Sequence, residues 1–329
     1  MRLLFEPPPV YFMHLPKTGG SSLGRWLRAG YGSRYFDLDL PILPRFTVSE
    51  LKVFRCYHSW HHGRSMFDLI GRADLPAITI LRDPVERAVS VFHNRQRMML
   101  NNLQQFTEDY QRQMRPILHR EIQDCLDHDI VTQILNNGQT RLLGDRADYA
   151  VFLKHGAQAQ PDRPFLRPYN IPRLIDPNDH AQLFANARAW LDEMAVVGLT
   201  ERYAESLLMI GDLLGIPVPA DLPRANANPQ RTGPAMRYSD QLSPYVIARL
   251  RELNRYDLEL YAHAEELFEQ HWARYQAKPR RTYSIAPRLR ISLHWAESRL
   301  KGWLLRTWPG LAEGVRDVRA AWKQEAGRR

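Results

Sequence analysis

A lysine, two glycines and two serines stand close together at Lys17, Gly19, Gly20, Ser21 and Ser22, with Thr18 among them. These residue types can hold a phosphate. Glycines let a backbone approach an anion closely, lysine adds a point charge, and hydroxyls and backbone N–H groups donate. The order differs from a Walker A loop, whose lysine follows its last glycine; here Lys17 precedes both. An ordinary glycine turn before a helix is the bland alternative, and one loop alone leaves it open. A second candidate cluster is Arg82 with Ser90. The guanidinium is a planar fork of donors that matches a phosphate, and a hydroxyl two helical turns further on lies near the same face. A solvated arginine ahead of a well-capped helix is the alternative there. A third is the group His58, His61 and His62, one quarter of the chain's 12 histidines. Histidine titrates near neutral pH and suits proton removal. A His-x-x-His metal pair is disfavoured for want of nearby carboxylate or cysteine ligands.

The chemistry needs elements to carry it. Val10–Met13 reads as a short buried strand, and Leu23, Trp26 and Leu27 recur at helical spacing behind the loop,. Residues 34–40 form a possible second strand, and Val53–Tyr57 reads as another that leads into His58. Ala77–Leu81 is the clearest buried strand; Asp83 then suits an N-cap, Pro84 the first helical position, and Glu86 the closing member of a capping box,. Residues 101–145 look helical and polar, an insertion over the mouth of the site, and Asp145–Pro177, with five prolines, reads as irregular. Ala181–Glu193, Ala195–Gly198 and Glu201–Leu214 read as helix, strand and helix; after a proline-rich loop, Ser243–Ala277 reads as one or two long helices. Strands alternating with helices predict an α/β fold with a central, mainly parallel sheet flanked by helices.

Composition sets bounds. A chain of 329 residues is long enough for a sizeable core, and its formal charge of +9 suits a polyanionic partner without naming one,. Two cysteines, Cys56 and Cys125, make no disulfide framework and suit a reducing compartment,. No run approaches a membrane span, and the opening residues, with Glu6 and three prolines, do not read as a signal peptide,.

The run His14 to Ser22 after a strand closely resembles the 5′-phosphosulfate loop of sulfotransferases that use 3′-phosphoadenosine 5′-phosphosulfate (PAPS), in the branch of the heparan sulfate 2-O-sulfotransferases and their bacterial relatives. Ile80 to Ser90 resembles the second signature of that family, the 3′-phosphate site. The two motifs together, in this order, are specific; Asn137–Gly144 and Val197–Arg202 are looser matches, and the resemblance covers residues 10–260 or so. It implies a P-loop-kinase-like sheet, Lys17 and the backbone of Thr18, Gly19, Gly20, Ser21 and Ser22 on the 5′ side, Arg82 and Ser90 on the 3′-phosphate, and no metal. It also implies a histidine base. The family's base sits in a Gly-His pair with a glycine shortly downstream; here His58 has Gly63 five residues on but Tyr57 in place of the preceding glycine, which leaves the register open, and the expected base is His58, with His61 the rival and His14 a packing or orienting residue. Arg231 is a guess at a further nucleotide contact.

The expected function is therefore transfer of a sulfuryl group from PAPS to an acceptor hydroxyl, with a saccharide or glycolipid as acceptor and no nucleic acid as partner. The alternatives are a nucleoside-triphosphate-dependent kinase, which would want a Walker A lysine and an acidic magnesium ligand, and a non-catalytic basic anion-binding protein. The expected division is a sulfotransferase domain at 1–277 and a basic amphipathic helical tail at 278–329. The tail, with Trp295, Trp303 and Trp308 among arginines, fits either a membrane-surface helix or, the favoured reading, a helix packed on protein,. The absence of the N-terminal anchor that Golgi members carry favours a bacterial, cytoplasmic enzyme, peripheral at the inner membrane if the tail binds lipid. The acceptor and the oligomeric state stay open.

Overall fold

The computed structural model describes residues 6–38, 46–60, 63–72, 74–102, 106–149, 171–219 and 237–279, with 43, 281–283, 287 and 291–296. His61, His62, Arg231 and most of the tail, Trp303 and Trp308 included, lie outside the described residues. Glu6–Arg281 forms one compact unit, and Met1–Phe5 with Thr282–Arg329 forms a second. Within the second, residues 291–296 are helical.

The larger unit is built on five parallel strands: β1 (Val10–Met13), β2 (Tyr35–Leu38), β3 (Cys56–Ser59), β4 (Ala77–Leu81) and β5 (Val196–Leu199), in the order β2-β3-β1-β4-β5. A parallel sheet is covered on both faces, so its central strands are apolar without alternation. All four residues of β1 and all five of β4 are buried. The covering helices in chain order are α1 (Gly20–Tyr31), α2 (Val48–Leu51), α3 (Gly63–Ile70), α4 (Pro84–Asn102), α5 (Glu108–Met114), α6 (Asp129–Leu135), α7 (Gly138–Gly144), α8 (His180–Glu193), α9 (Tyr203–Leu214), α10 (Pro244–Leu253) and α11 (Arg255–Gln276). Trp26 of α1 is fully buried, and its indole N–H donates to the Pro217 carbonyl at 3.1 Å, so the ring's apolar area and its one donor are both satisfied,.

Three differences from the sequence reading matter. First, β3 starts three residues later than expected and contains His58, which is thus a strand residue rather than the first residue of a loop. Its polar side chain is tolerated inside because neighbouring side chains satisfy it. Second, the described residues between 106 and 144 form short helices that are not polar on their inner face. Tyr110, Met114, Ile117, Ile122, Leu126, Val131 and Leu135 bury with Val85, Val89 and Phe92 of α4 in one apolar cluster. Short helices hide such a face because their polar residues outnumber the few that pack. Third, α4 is capped by Asp83, whose carboxylate accepts the Glu86 N–H at 3.0 Å, but Glu86 does not close the box. Its carboxylate instead accepts the N–H groups of Ser239 at 2.9 Å and Tyr238 at 3.1 Å, while the Asp83 N–H donates to Glu201 at 3.1 Å. Tertiary donors outcompete the local one.

α7 has an unusual N-cap. Asn137 is left-handed (φ 42°), and the buried Asp257 of α11 accepts the N–H groups of Gln139 at 2.9 Å and Thr140 at 2.7 Å. A carboxylate at a helix N-terminus satisfies donors the helix itself leaves unpaired and opposes its positive end.

Candidate active site

The loop after β1 turns on two left-handed residues, Lys17 (φ 72°) and Gly19 (φ 87°). Lysine rarely adopts this conformation, so its presence marks strain held by surrounding contacts. Those contacts are visible. The Thr18 hydroxyl donates to the Leu15 carbonyl at 2.8 Å, and the Thr200 hydroxyl donates to the Thr18 carbonyl at 2.9 Å. The Tyr203 hydroxyl donates to the Gly19 carbonyl at 2.9 Å, with its ring set so close that a Cβ at Gly19 would lie 2.9 Å from it. Thr200 belongs to the looser block 197–202, and this is what that block does: it clamps the loop. α1 then starts with no side-chain cap and no acidic residue in its first turn. The Ser22 N–H donates to the Gly19 carbonyl at 3.1 Å, and the positive end of the helix faces no carboxylate of its own, an arrangement that suits an anion,.

Arg82 ends the neighbouring strand β4. Its guanidinium donates to the Lys17 carbonyl at 3.3 Å and to Glu86 at 3.2 Å. The Gln139 side-chain amide fastens the Arg82 backbone on both sides, accepting from its N–H at 3.0 Å and donating to its carbonyl at 2.9 Å. The block 137–144 therefore serves the arginine, through a glutamine that its sequence did not single out. Burial alone would raise the Glu86 carboxyl. The backbone donors of Ser239 and Tyr238 and the charge of Arg82 bring it below its ordinary value, so it stays ionised beside the arginine. Ser90 is buried on α4, one turn beyond Glu86 and one turn before Asn94,.

Lys17 Nζ donates to Asn94 Oδ1 at 3.3 Å. Burial, together with the charges of Arg97 and Arg82, pushes its ammonium down to about 8. Three cations converging at one loop favour a multiply charged anion. The residues present fit the phosphates of a nucleotide on that ground, and on the ground that α1 opens without a carboxylate of its own.

The histidine group takes a form the sequence did not show. His58 Nδ1 lies 2.9 Å from Asp37 Oδ1 on β2, its cross-strand neighbour by register, and the Tyr35 hydroxyl reaches both. On the other side, His58 Nε2 lies 2.9 Å from His14 Nδ1. Phe12 stacks on both rings, and Trp60 covers them with centroids 4.1 Å from His14 and 4.7 Å from His58. Burial, helped by Arg28, lowers the His58 pKa below 6.5 against the pull of Asp37. Burial would raise the Asp37 carboxyl, but His58, Arg28 and Tyr35 hold it down. At neutral pH the pair is thus a carboxylate beside a neutral imidazole.

Helix α1 makes room for His14 and His58 through glycines one turn apart. A Cβ on Gly20 would overlap the Cδ2–Nε2 edge of His14, and one on Gly24 would lie 2.9 Å from His58 Cε1. Gly20→Ala is expected to destabilise the protein by about 1–3 kcal/mol, the range for overpacking a filled site, and to weaken nucleotide binding by displacing the loop. Urea unfolding and titration of the variant check both.

The structure thus brings together Lys17, the loop from Thr18 to Ser22, Arg82 and His58. Asp37, Tyr35, His14, Gly24, Gln139, Asn94, Thr200 and Tyr203 were not expected to serve the site. The available signals were an aspartate within the apolar run Tyr35–Leu38, the glycines one turn apart at Gly20 and Gly24, and the looser blocks that hold Gln139 and Thr200. Among the described residues, no group of three or more His, Cys, Asp or Glu is placed to hold a metal ion, and no helix is long and apolar enough to cross a membrane.

A parallel sheet ordered β2-β3-β1-β4-β5, with a glycine loop and an arginine at the ends of adjacent strands, defines an α/β protein of the P-loop-like nucleotide-binding class. Within that class the chain belongs to the sulfotransferase family, whose model matches residues 5–264. It is similar to heparan-sulfate 6-O-sulfotransferase 2 of Danio rerio, with 24% identity over 299 residues, covering 79% of this chain and 58% of the relative. The chain therefore spans little more than half the length of that relative, which is a 6-O rather than a 2-O enzyme.

Proposed function

We propose that the protein transfers a sulfuryl group from PAPS to a hydroxyl of a saccharide or glycolipid acceptor. The observation that carries this reading is the convergence of Lys17, the left-handed loop and Arg82 across two adjacent strands, with Arg82 3.3 Å from the Lys17 carbonyl. Lys17 and the loop from Thr18 to Ser22 would face the charge that builds on the leaving 5′-phosphate; Arg82 and Ser90 would grip the 3′-phosphate. His58 is the proposed base for the acceptor hydroxyl. Such a site works by positioning and fixed electrostatics, as in phosphoryl transfer. Family membership, the saccharide-directed relative and the net charge of +9 support an anionic glycan as acceptor.

The test is incubation of the full chain with PAPS and a panel of heparan, desulfated heparan, glycolipid and tyrosine peptide, read by mass spectrometry. A sulfated saccharide is expected. No sulfated product, with phosphate transferred from ATP instead, would replace this reading with a kinase. Arg82→Ala is expected to weaken binding of the bisphosphate product, 3′-phosphoadenosine 5′-phosphate, by about 10–100-fold, the worth of a hydrogen bond to a charged group. Calorimetry checks this; unchanged affinity would remove Arg82 from the nucleotide site.

A further inference from the structure

We propose that Arg87 is a positioning residue of the site, which with Arg82 fixes the two peptide planes flanking Lys17 and so aims the Lys17 ammonium. The inference deepens the sulfuryl-transfer reading, on which it rests, and gives a role to a buried cation that no step above uses.

Five successive carbonyls of the loop accept hydrogen bonds from side chains. Leu15 accepts from Thr18, Pro16 from Arg87, Lys17 from Arg82, Thr18 from Thr200 and Gly19 from Tyr203. The two arginines act on either side of the strained residue. The Pro16–Lys17 and Lys17–Thr18 peptides are rigid planes, and the φ and ψ of Lys17 set the angle between them. Arg87 Nε donates to the Pro16 carbonyl at 3.2 Å and fixes the first plane. Arg82 Nη1 donates to the Lys17 carbonyl at 3.3 Å and fixes the second. Held from both sides, Lys17 keeps its left-handed φ of 72°, a conformation that a lysine adopts only where its surroundings over-determine it.

Arg87 lies on α4 and is buried. Among the described residues its side chain makes this one hydrogen bond and pairs with no carboxylate. Burial disfavours its charge, and Asp257 of α11 opposes that only in part. A buried guanidinium without an ion pair is costly to keep, and the chain makes way for it as well. A Cβ at Gly138, the first residue of α7, would lie 2.3 Å from Arg87 Nη1. What the guanidinium supplies at this place is an N–H aimed at Pro16. The result is the fixed position of the Lys17 ammonium, 3.3 Å from Asn94 Oδ1 and in the field of Arg97 and Arg82.

The test reads Lys17 itself, by ¹³C spectra of the lysine-labelled full chain followed through pH without nucleotide, with Lys17→Ala for assignment. Wild type is expected to titrate at about 8. Arg87→Lys keeps a cation but has a methylene where the Nε–H stands, and Arg87→Met removes both. In each, the Lys17 value should rise toward that of an ordinary lysine, because the side chain leaves its buried place. A folding failure in one variant leaves the other to decide. Calorimetry with 3′-phosphoadenosine 5′-phosphate at pH 7 gives a second readout. Arg87→Lys should weaken binding by about tenfold or more, but by less than about twofold in a Lys17→Ala background, since the arginine acts through the lysine. A Lys17 titration left at about 8 in the Arg87 variants, or losses that simply add, would overturn the proposal. Failure of wild type to bind the bisphosphate at all would instead sink the sulfuryl-transfer reading, while the Lys17 titration still decides the role of Arg87.

Discussion

Lys17→Ala is expected to lower turnover by about 10²–10³-fold, the loss that follows removal of one donor from a charge-stabilising hole. The reasoning is local. Lys17 is held in a left-handed conformation by its neighbours, so its ammonium has a fixed place beside Asn94 rather than a solvent-averaged one. Preorganisation of this kind costs nothing at the moment of reaction, and alanine forfeits it. The same side chain gives a signed pH dependence. Burial and the nearby Arg97 and Arg82 bring the ammonium to about 8, so it is charged below that pH and neutral above it. A bound anion favours the charged form. Affinity for 3′-phosphoadenosine 5′-phosphate should therefore fall as pH rises through about 8, by up to tenfold per pH unit. In Lys17→Ala that slope should vanish. Calorimetric titration between pH 7 and 9 measures it; affinity independent of pH in wild type would show that Lys17 does not face the nucleotide.

The second large effect is at His58. His58→Gln should lose about 10²–10⁴-fold in turnover, the range for general base catalysis, without loss of bisphosphate affinity. The sign with pH follows from burial, which holds the imidazole below 6.5. A neutral base works above its pKa, so wild-type turnover should be level near pH 7 and fall as pH drops below 6.5. The variant should lack this acid limb. Steady-state rates from pH 5 to 8 check this. An identical acid limb in His58→Gln would move the base to another residue.

Much of the frame was legible because the physics is local. β1 and β4 are continuous apolar runs in a sheet buried on both faces, and the two motifs proposed to hold phosphates each sit at a strand-to-helix junction where glycine, proline and a capping aspartate leave clear marks. What stayed hidden is tertiary. Asp37 and His58 lie 21 positions apart and meet only through the register of β2 on β3. His14 and His58 lie 44 apart and meet because both point to the same side of the sheet, under Gly20 and Gly24. Gln139 reaches Arg82 across 57 positions. No periodicity in one sequence encodes such pairings, although the aspartate inside an apolar strand and the glycines one turn apart in α1 are consistent with them. The misplaced start of β3 has the same origin. Val53 and Phe54 look like strand residues, but pairing with β1 and β2 begins at Cys56 and carries through the polar His58 and Ser59.

The account turns on a site that reads two phosphates on one nucleoside, and the most direct measurement is calorimetric titration of the full chain with 3′-phosphoadenosine 5′-phosphate beside ATP and AMP. Micromolar binding of the bisphosphate, with ATP and AMP far weaker, is the predicted result. Preference for ATP, or no binding of any of the three, would contradict it.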